Sequence, residues 1–487
     1  MQRFKEFWLA AVLAAVASIS GSTVAWSQQV QPYYPGDSPY SAMSAVSFDE
    51  GASLDDRVAD LEAALKKMKD KEAAAKKKAA GKPSVSVGGR IYADWYAYDQ
   101  GVNSIFQIGD QQNGFRFDTV RIFVKGSAFH VMDYKVQFDF AGTQSATTGA
   151  AGAHDHGGAV AVEPAHTHAG GTLQAATFKD VYITVKELPF LGHVKVGHYK
   201  EPFSLDQLTS SRYVTFMERS LADTFVPARN VGIMAYDTAA DDNMTWGIGA
   251  FISENGDEPP VFRNDNGGTA VTSRVTWTPW YDEATEGRGL FHLGVDYSFR
   301  DIADGTARFR SRPEADLGSY VVDTGNIAAT SDVQLLGLEA AFVYGPFRVQ
   351  SEYMRSFVSR AGFADPEFDG VYVQASYFLT GEQRKYNRSN GSFDNRVKPY
   401  ENFFRVRDCD GYIQMGKGAW ELAYRVSYLD LNSAGITGGD VTDHTVGLNW
   451  YLNPYSRLVL NYINSDLRRF GVAGNMHILA TRFQIDF

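Results

Sequence analysis

The densest concentration of groups able to do chemistry lies between Gly381 and Lys417. Arg384, Lys385, Arg388, Arg396, Lys398, Arg405, Arg407 and Lys417 stand there against Glu382, Asp394, Glu401, Asp408 and Asp410, an excess of three positive charges in a chain whose net charge is -11. Guanidinium and ammonium groups gathered on one segment are N–H donors for anions, Arg as a planar fork and Lys as a point charge. A second concentration is AHDHGGAVAVEPAHTHAG at 153–170, where His154, His156, His166 and His168 form two H-x-H pairs of a kind that ligates zinc, copper or nickel. The same glycine-rich stretch also suits a solvated loop. Cys409 is the single cysteine, so no internal disulfide is available and no cysteine metal or redox motif exists. The sequence contains no G-x-S-x-G elbow and no P-loop, which points away from an enzyme and from any cofactor. The negative net charge argues against a nucleic-acid partner and leaves an anion partner open, because the field in a narrow space depends on nearby charges.

These groups need a scaffold, and composition narrows it. The chain has 487 residues, is 44% hydrophobic and 14% aromatic, and carries 46 glycines and 16 prolines. Beyond residue 20 it offers no apolar stretch long enough for a membrane helix. Residues 1–27 read as a signal peptide: Arg3 and Lys5 precede an apolar stretch from Phe7 to Ile19, and Thr23, Ala25 and Ser27 offer cleavage sites. A short membrane anchor is the alternative. Residues 28–52, rich in Pro, Ser, Tyr and Gln, read as a flexible linker. Over 53–81 Ser53 and Asp56 resemble a capping box, and Leu54, Val58, Leu61, Leu65 and Met68 have the a/d spacing of a coiled coil. That spacing suits an oligomerisation helix; the Lys-rich stretch from Lys66 to Lys78 equally suits an isolated solvated helix. Gly81 and Pro83 stop it.

From residue 84 the hydrophobic period is two. In VSVGGRIYADWYAYD, Val85, Val87, Ile91, Ala93, Trp95 and Ala97 share one face and Arg90, Tyr92, Asp94, Tyr96 and Tyr98 the other. The last strand, HILATRFQIDF, places Leu479, Phe483, Ile485 and Phe487 opposite Arg482, Gln484 and Asp486. A terminal strand ending in Phe resembles the insertion signal of bacterial outer-membrane barrels. Sixteen candidate strands begin near residues 85, 115, 132, 178, 193, 230, 244, 270, 290, 332, 347, 367, 418, 441, 456 and 476, with YVVDTG at 320–325 assigned to a loop. The fold class expected is all-β: a sixteen-stranded antiparallel transmembrane barrel over 84–487, lipid outside and water within.

Alternating the connections from a periplasmic start puts short turns at His130 to Asp133, Leu188 to His193, Gly345 to Phe347 and Asn453 to Ser456 on one side, and the long stretches 143–177, 200–229 and 301–331 on the other. The basic segment violates the pattern, because it is a long connection on the short-turn side. A basic segment there suits a lumen-folding selectivity element, unless it conceals another pair of strands. The inward parity also collects Arg90, Arg121, Lys125, Lys135, Lys186, Lys195 and Arg425, with Asp94, Asp133, Asp139 and Glu421 among them.

VGHYKEPFSLDQLTSSRYVTFMERS at 196–220, YFLTGEQRKY at 377–386, GAWELAYRVSYLDL at 418–431 and HTVGLNWYLNPYSRLVLNY at 444–462 resemble the phosphate-selective porins of the O and P type, over about Gly88 to Phe487. The resemblance implies a trimeric outer-membrane barrel of a Gram-negative-type envelope for passive diffusion of small anions, in which the third outer loop, another outer loop and a long periplasmic turn fold into the lumen. It makes Lys200, Ser210, Ser211, Arg212, Arg219 and Arg229 candidates for coordinating an anion, each equally able to pin the loop to the wall. Gln207 stands where the phosphate binders of the family carry a lysine. The expected partners are therefore small inorganic anions such as phosphate or polyphosphate, outer-membrane lipid and further copies of the chain. A nonspecific pore for small polar solutes, or a structural or adhesive barrel tethered by its helix, are the other functions this architecture allows.

Overall fold

The computed structural model describes residue 66 and residues 83–141, 176–253, 268–403, 405–407, 409–413 and 415–487. The chain divides into two units, 1–77 and 78–487. Of the first, only Lys66 is described, helical and exposed. The expected signal peptide, linker and coiled-coil segment otherwise lie outside the described residues, as do His154, His156, His166 and His168.

Strands β1 (Ser86–Gln100), β2 (Gly114–Ala128), β3 (Met132–Asp139), β4 (Thr177–Leu188), β5 (Gly192–Lys200), β6 (Arg229–Ala239), β7 (Met244–Ser253), β8 (Gly268–Tyr281) and β9 (Gly289–Asp301) form the first part of the wall. After four two-residue strands, β10 (Thr306–Ala307), β11 (Arg310–Ser311), β12 (Val322–Asp323) and β13 (Ile327–Ala328), the wall resumes with β14 (Thr330–Tyr344), β15 (Phe347–Arg360), β16 (Glu367–Phe378), β17 (Ala419–Ser433), β18 (Ile436–Asn453), β19 (Ser456–Arg469) and β20 (Val472–Asp486). The sixteen long strands close into one barrel, each antiparallel to its neighbours. The short strands pair with one another in the β9–β14 connection, so YVVDTG contributes β12 to a loop ladder and not to the wall. Among the described residues no helix is long and apolar enough to cross a membrane.

Period two builds this wall because successive side chains point to opposite faces. On β1, Arg90, Tyr92, Asp94 and Tyr96 are buried inside while Val87, Ile91 and Trp95 are exposed outside. On β20, Arg482, Gln484 and Asp486 are inside and Phe483, Ile485 and Phe487 outside. Val271, Val275 and Trp277 continue the outer apolar band on β8, Val295 and Phe299 on β9, and Leu338 and Phe342 on β14. Trp420 and Trp450, stacked at 4.8 Å near the short-turn end, belong to an aromatic girdle. Closure satisfies every edge strand, as a lipid environment demands. Arg90 faces Asp486 across the seam and Asp94 faces Arg482. Gly89 and the terminal Phe487 exchange backbone hydrogen bonds of 2.8 and 3.0 Å. A Cβ on Gly89 would sit 2.7 Å from the Arg121 carbonyl oxygen as well as against the Phe487 ring, so this approach requires glycine.

Among the described residues, three connections fill the lumen. Phe203, Leu221, Ala222 and Phe225 from 201–228 share a core with Ala315, Val321, Val322 and Ile327 from 302–329 and with Met354, Phe368, Tyr372 and Leu429 of the wall. Tyr386 and Phe393 from 379–418 pack with Leu205, Leu290, Ala341 and Val343. Each large apolar side chain buried this way contributes about 1.5–3 kcal/mol, which draws these segments inward. Within the described part of 379–418 there is no further wall strand, only isolated bridges such as Asn387 with Ser392.

Candidate functional site

The loop 201–228 owes its course to carboxylates buried on the wall. Ser204, at a positive φ of 69°, starts a one-turn helix α1 (Leu205–Leu208), and its hydroxyl accepts the Gln207 N–H. Such a cap contributes about 1 kcal/mol. The Glu352 carboxylate accepts the Leu205 and Asp206 N–H groups at 2.8 and 3.0 Å, and Asp296 accepts that of Ser204 at 3.0 Å. Glu201 receives Arg300 at 3.0 Å and the Asn230 amide at 2.6 Å. Farther along, wall arginines donate to loop carbonyls: Arg457 to Val214 at 2.8 Å, Arg482 to Met217 at 2.7 Å and Arg425 to Glu218 at 2.9 Å. The loop therefore lies against β9 and β14–β20 and leaves an opening toward β1–β8.

That opening is a cavity of about 760 Å³. Twelve basic residues line it against six acidic ones, a formal excess of six positive charges with every carboxyl counted as ionised. The acids are engaged. Asp180 is clamped between Lys135 at 2.5 Å and Arg229 at 2.7 Å. Asp118 lies 3.2 Å and Glu218 3.0 Å from Arg482. Asp394 accepts the Ser210 N–H at 3.0 Å. Several cations have no carboxylate partner among the described residues. Arg90 donates to the Ser210 hydroxyl at 3.3 Å, and its Nε is buried without a partner. Arg212 stacks over Phe123 and Tyr213 at 5.7 and 5.2 Å, and its Nε is also without a partner. Lys195 sits among the rings of Tyr182, Tyr199 and Tyr236 at 4.8, 5.2 and 4.8 Å. Desolvation pushes the Glu218 carboxyl up to about 8 despite the opposing Arg482, so it carries a proton at neutral pH.

All six loop candidates, Lys200, Ser210, Ser211, Arg212, Arg219 and Arg229, line this cavity. Lys200 donates to the Gln207 carbonyl, and Arg219 donates to the carbonyls of Asp206, Gln207 and Thr209 at 3.0–3.3 Å. These two therefore brace the loop as well as facing the opening.

The basic connection enters the barrel differently from the way its charge suggests. Arg384 is bound by Glu421 at 2.6 Å, by the Tyr451 hydroxyl at 2.6 Å and by the Tyr213 carbonyl. Burial alone would lower its pKa, but the Glu421 carboxylate and the Tyr451 hydroxyl outweigh that and raise it further. Lys385 pairs with Glu286 at 2.7 Å, Arg388 with Glu283 at 2.7 Å, and Arg396 with Asp486 at 3.4 Å. Lys398, Arg405 and Arg407 are exposed. None of the seven lines the main cavity; the connection contributes Ser389, Asn390 and Asp394 instead. Its tip is held by Arg274, which donates to the carbonyls of Asn390 at 3.1 Å and Gly391 at 2.8 Å. Sequence reasoning passed over Lys179, Arg274 and Arg310 as lining residues, whereas Arg482, which also lines the cavity, was placed on the polar face of the last strand. Arg274, between Thr272 and Thr276 on β8, shares their inward parity and was accessible to the same argument. Among the described residues two carboxylate clusters, Asp94 with Asp118 and Glu218, and Asp296 with Glu339 and Glu352, have metal-like spacing. Each already holds a guanidinium: Arg482 pairs with Asp94 at 2.6 Å and Arg274 with Glu339 at 2.7 Å. Cys409 is exposed and unpaired.

Porin O of Pseudomonas aeruginosa is 24% identical over 417 residues, 78% of this chain and 83% of that protein. An uncharacterized protein of Caulobacter vibrioides is 28% identical over 327 residues, 64% of this chain and 62% of that protein. The trimer form of OmpT, an outer membrane protein of Vibrio cholerae, superposes with a TM-score of 0.46 at 13% identity, covering 82% of this chain and 99% of its own. An anion-selective porin from Comamonas acidovorans gives 0.45 at 13% identity, covering 83% and 100%. The family model described as phosphate-selective porin O and P matches residues 85–487, and the chain belongs to this family as an outer-membrane porin.

Proposed function

We propose that this porin is an anion-selective channel through which small anions of the phosphate or polyphosphate class diffuse passively, each barrel being one subunit of a homotrimer. The observation that carries the selectivity is the excess of six positive charges lining a single cavity in a chain of net charge -11. Its acids are largely engaged by wall cations or loop N–H groups, so the cations without ion pairs, Arg90, Arg212 and Lys195, set the field that a solute meets. In a water-filled lumen such a field raises the local anion concentration and repels cations. The Ser210 and Ser211 hydroxyls beside Arg90 and Arg212 supply the neutral donors that phosphate oxygens accept. The a/d spacing of Leu54, Val58, Leu61, Leu65 and Met68 supports the trimer.

Gln207, without the lysine expected of a tight phosphate site, favours a second reading, a general pore with weak solute preference. The test is titration of the chloride current through purified protein in a planar bilayer with phosphate and, separately, pyrophosphate. Saturable block identifies a phosphate-class site. A current that follows bulk conductivity alone rejects it in favour of the general pore.

A further inference from the structure

The connection 379–418 brings a carboxylate to the Ser210 and Ser211 pair. Asp394 lines the main cavity with both serines, and its Oδ1 accepts the Ser210 N–H at 3.0 Å. Among the described residues its Oδ2 has no hydrogen-bond partner and no cation forms an ion pair with it. The nearest cation in sequence is turned away: Arg396 lies 3.4 Å from Asp486 and donates to the Pro454 carbonyl. The backbone carrying Asp394 is held in place. Phe393 beside it is 1% exposed, meets the Tyr386 ring edge-on at 5.4 Å and lies under the Arg348 guanidinium at 4.8 Å. The Asn395 N–H donates to the Phe393 carbonyl at 2.9 Å.

An ionised carboxylate can only accept hydrogen bonds. In a cavity lined by twelve basic residues it therefore opposes the binding of an anion, unless that anion brings a hydrogen for it to accept. Phosphate at neutral pH carries O–H groups, and arsenate shares them, whereas sulfate and selenate have acceptor oxygens alone. The basic lining by itself orders these anions by charge, which gives sulfate, a full dianion, no disadvantage.

We infer that Asp394 makes this site select oxyanions that carry an O–H group. Its Oδ2 accepts that hydrogen while the Ser210 and Ser211 hydroxyls and the guanidinium groups of Arg90 and Arg212 donate to the other oxygens. An acceptor-only anion of the same tetrahedral shape meets the carboxylate as a like charge. The inference rests on the phosphate-class reading of the cavity and refines it.

The test measures block of the chloride current through the native purified protein in a planar bilayer by phosphate, arsenate, sulfate and selenate at neutral pH. Phosphate and arsenate should block at about ten-fold lower concentration than sulfate and selenate. Asp394→Asn keeps an oxygen for the Ser210 N–H, removes the charge and offers an N–H to acceptor-only anions, so sulfate and selenate should then block as well as phosphate. A residue that only held Ser210 in place would leave the order of the four anions unchanged in this variant. Equal block of the native protein by all four, or a native order that persists in Asp394→Asn, overturns the inference and leaves the phosphate-class reading standing. Absence of saturable block by any of the four overturns that reading and the inference with it. Should Asp394→Asn fail to form barrels, the order of the four anions in the native protein decides.

Discussion

Replacing Arg212 by Gln removes one positive charge from the cavity with little other damage. Among the described residues its side chain makes no ion pair, only ring contacts with Phe123 and Tyr213 at 5.7 and 5.2 Å. Its tie to the wall is a backbone one, the carbonyl accepting from Gln484 at 3.1 Å, so the loop keeps its course. A unit charge about 4 Å from a bound anion contributes about 1 kcal/mol in bulk water and about 4 kcal/mol at an effective dielectric of 20. A wide aqueous lumen belongs near the lower figure, about 1 to 2 kcal/mol, equivalent to roughly five- to thirty-fold in affinity. Phosphate block of the chloride current should therefore need that much more phosphate in Arg212→Gln, and Arg212→Lys should recover most of it. An unchanged block curve with normal barrel formation would show that Arg212 does not face the anion, and would refute the reasoning from unpaired cations.

Other perturbations follow from the same geometry. Because the Glu218 carboxyl is raised to about 8, it is neutral at pH 7 and becomes negative as pH rises through that value; anion selectivity should fall between pH 7 and 9, and Glu218→Gln should flatten the dependence. The same shift means that the folded state retains a proton the unfolded chain has released between about pH 4.5 and 8, so its contribution to stability declines as pH rises across that window. Arg384→Met leaves the carboxylate of Glu421 buried without its 2.6 Å partner and should cost about 3–5 kcal/mol, read as a lower heat-unfolding temperature, with Glu421→Gln in the same chain restoring part of it. Gly391 has φ +61°, and a Cβ there would lie 2.7 Å from Thr276 Oγ1; Gly391→Val should expel the tip of the connection and raise single-channel conductance.

Strand periodicity made the wall legible from residues alone, since a period of two persists wherever one face meets lipid and the other water. The structure starts β18 at Ile436 and β20 at Val472, ahead of the expected 441 and 476. The added residues, ITGGD and VAGN, continue the hydrogen-bond ladder where glycine and polar side chains carry no alternation. The inward folding of 379–418 was detectable as a length violation, but the use of its arginines was not. Arg384 and Glu421 are 37 positions apart, and charge counting cannot say whether a guanidinium meets a carboxylate or a solute. The same limit applies inside the loop, where Arg219 turned toward carbonyls and Arg212 toward open space. Folding of 302–329 into the lumen came only with the family resemblance, although Ala315, Val321, Val322 and Ile327, apolar residues in an outer loop, were a usable sign.

The most direct test is the zero-current potential of the native protein in a planar bilayer across a potassium chloride gradient. A lining with six excess positive charges predicts a potential of the sign set by chloride, with chloride several-fold more permeant than potassium. A potential near zero, or one of the sign set by potassium, would contradict it.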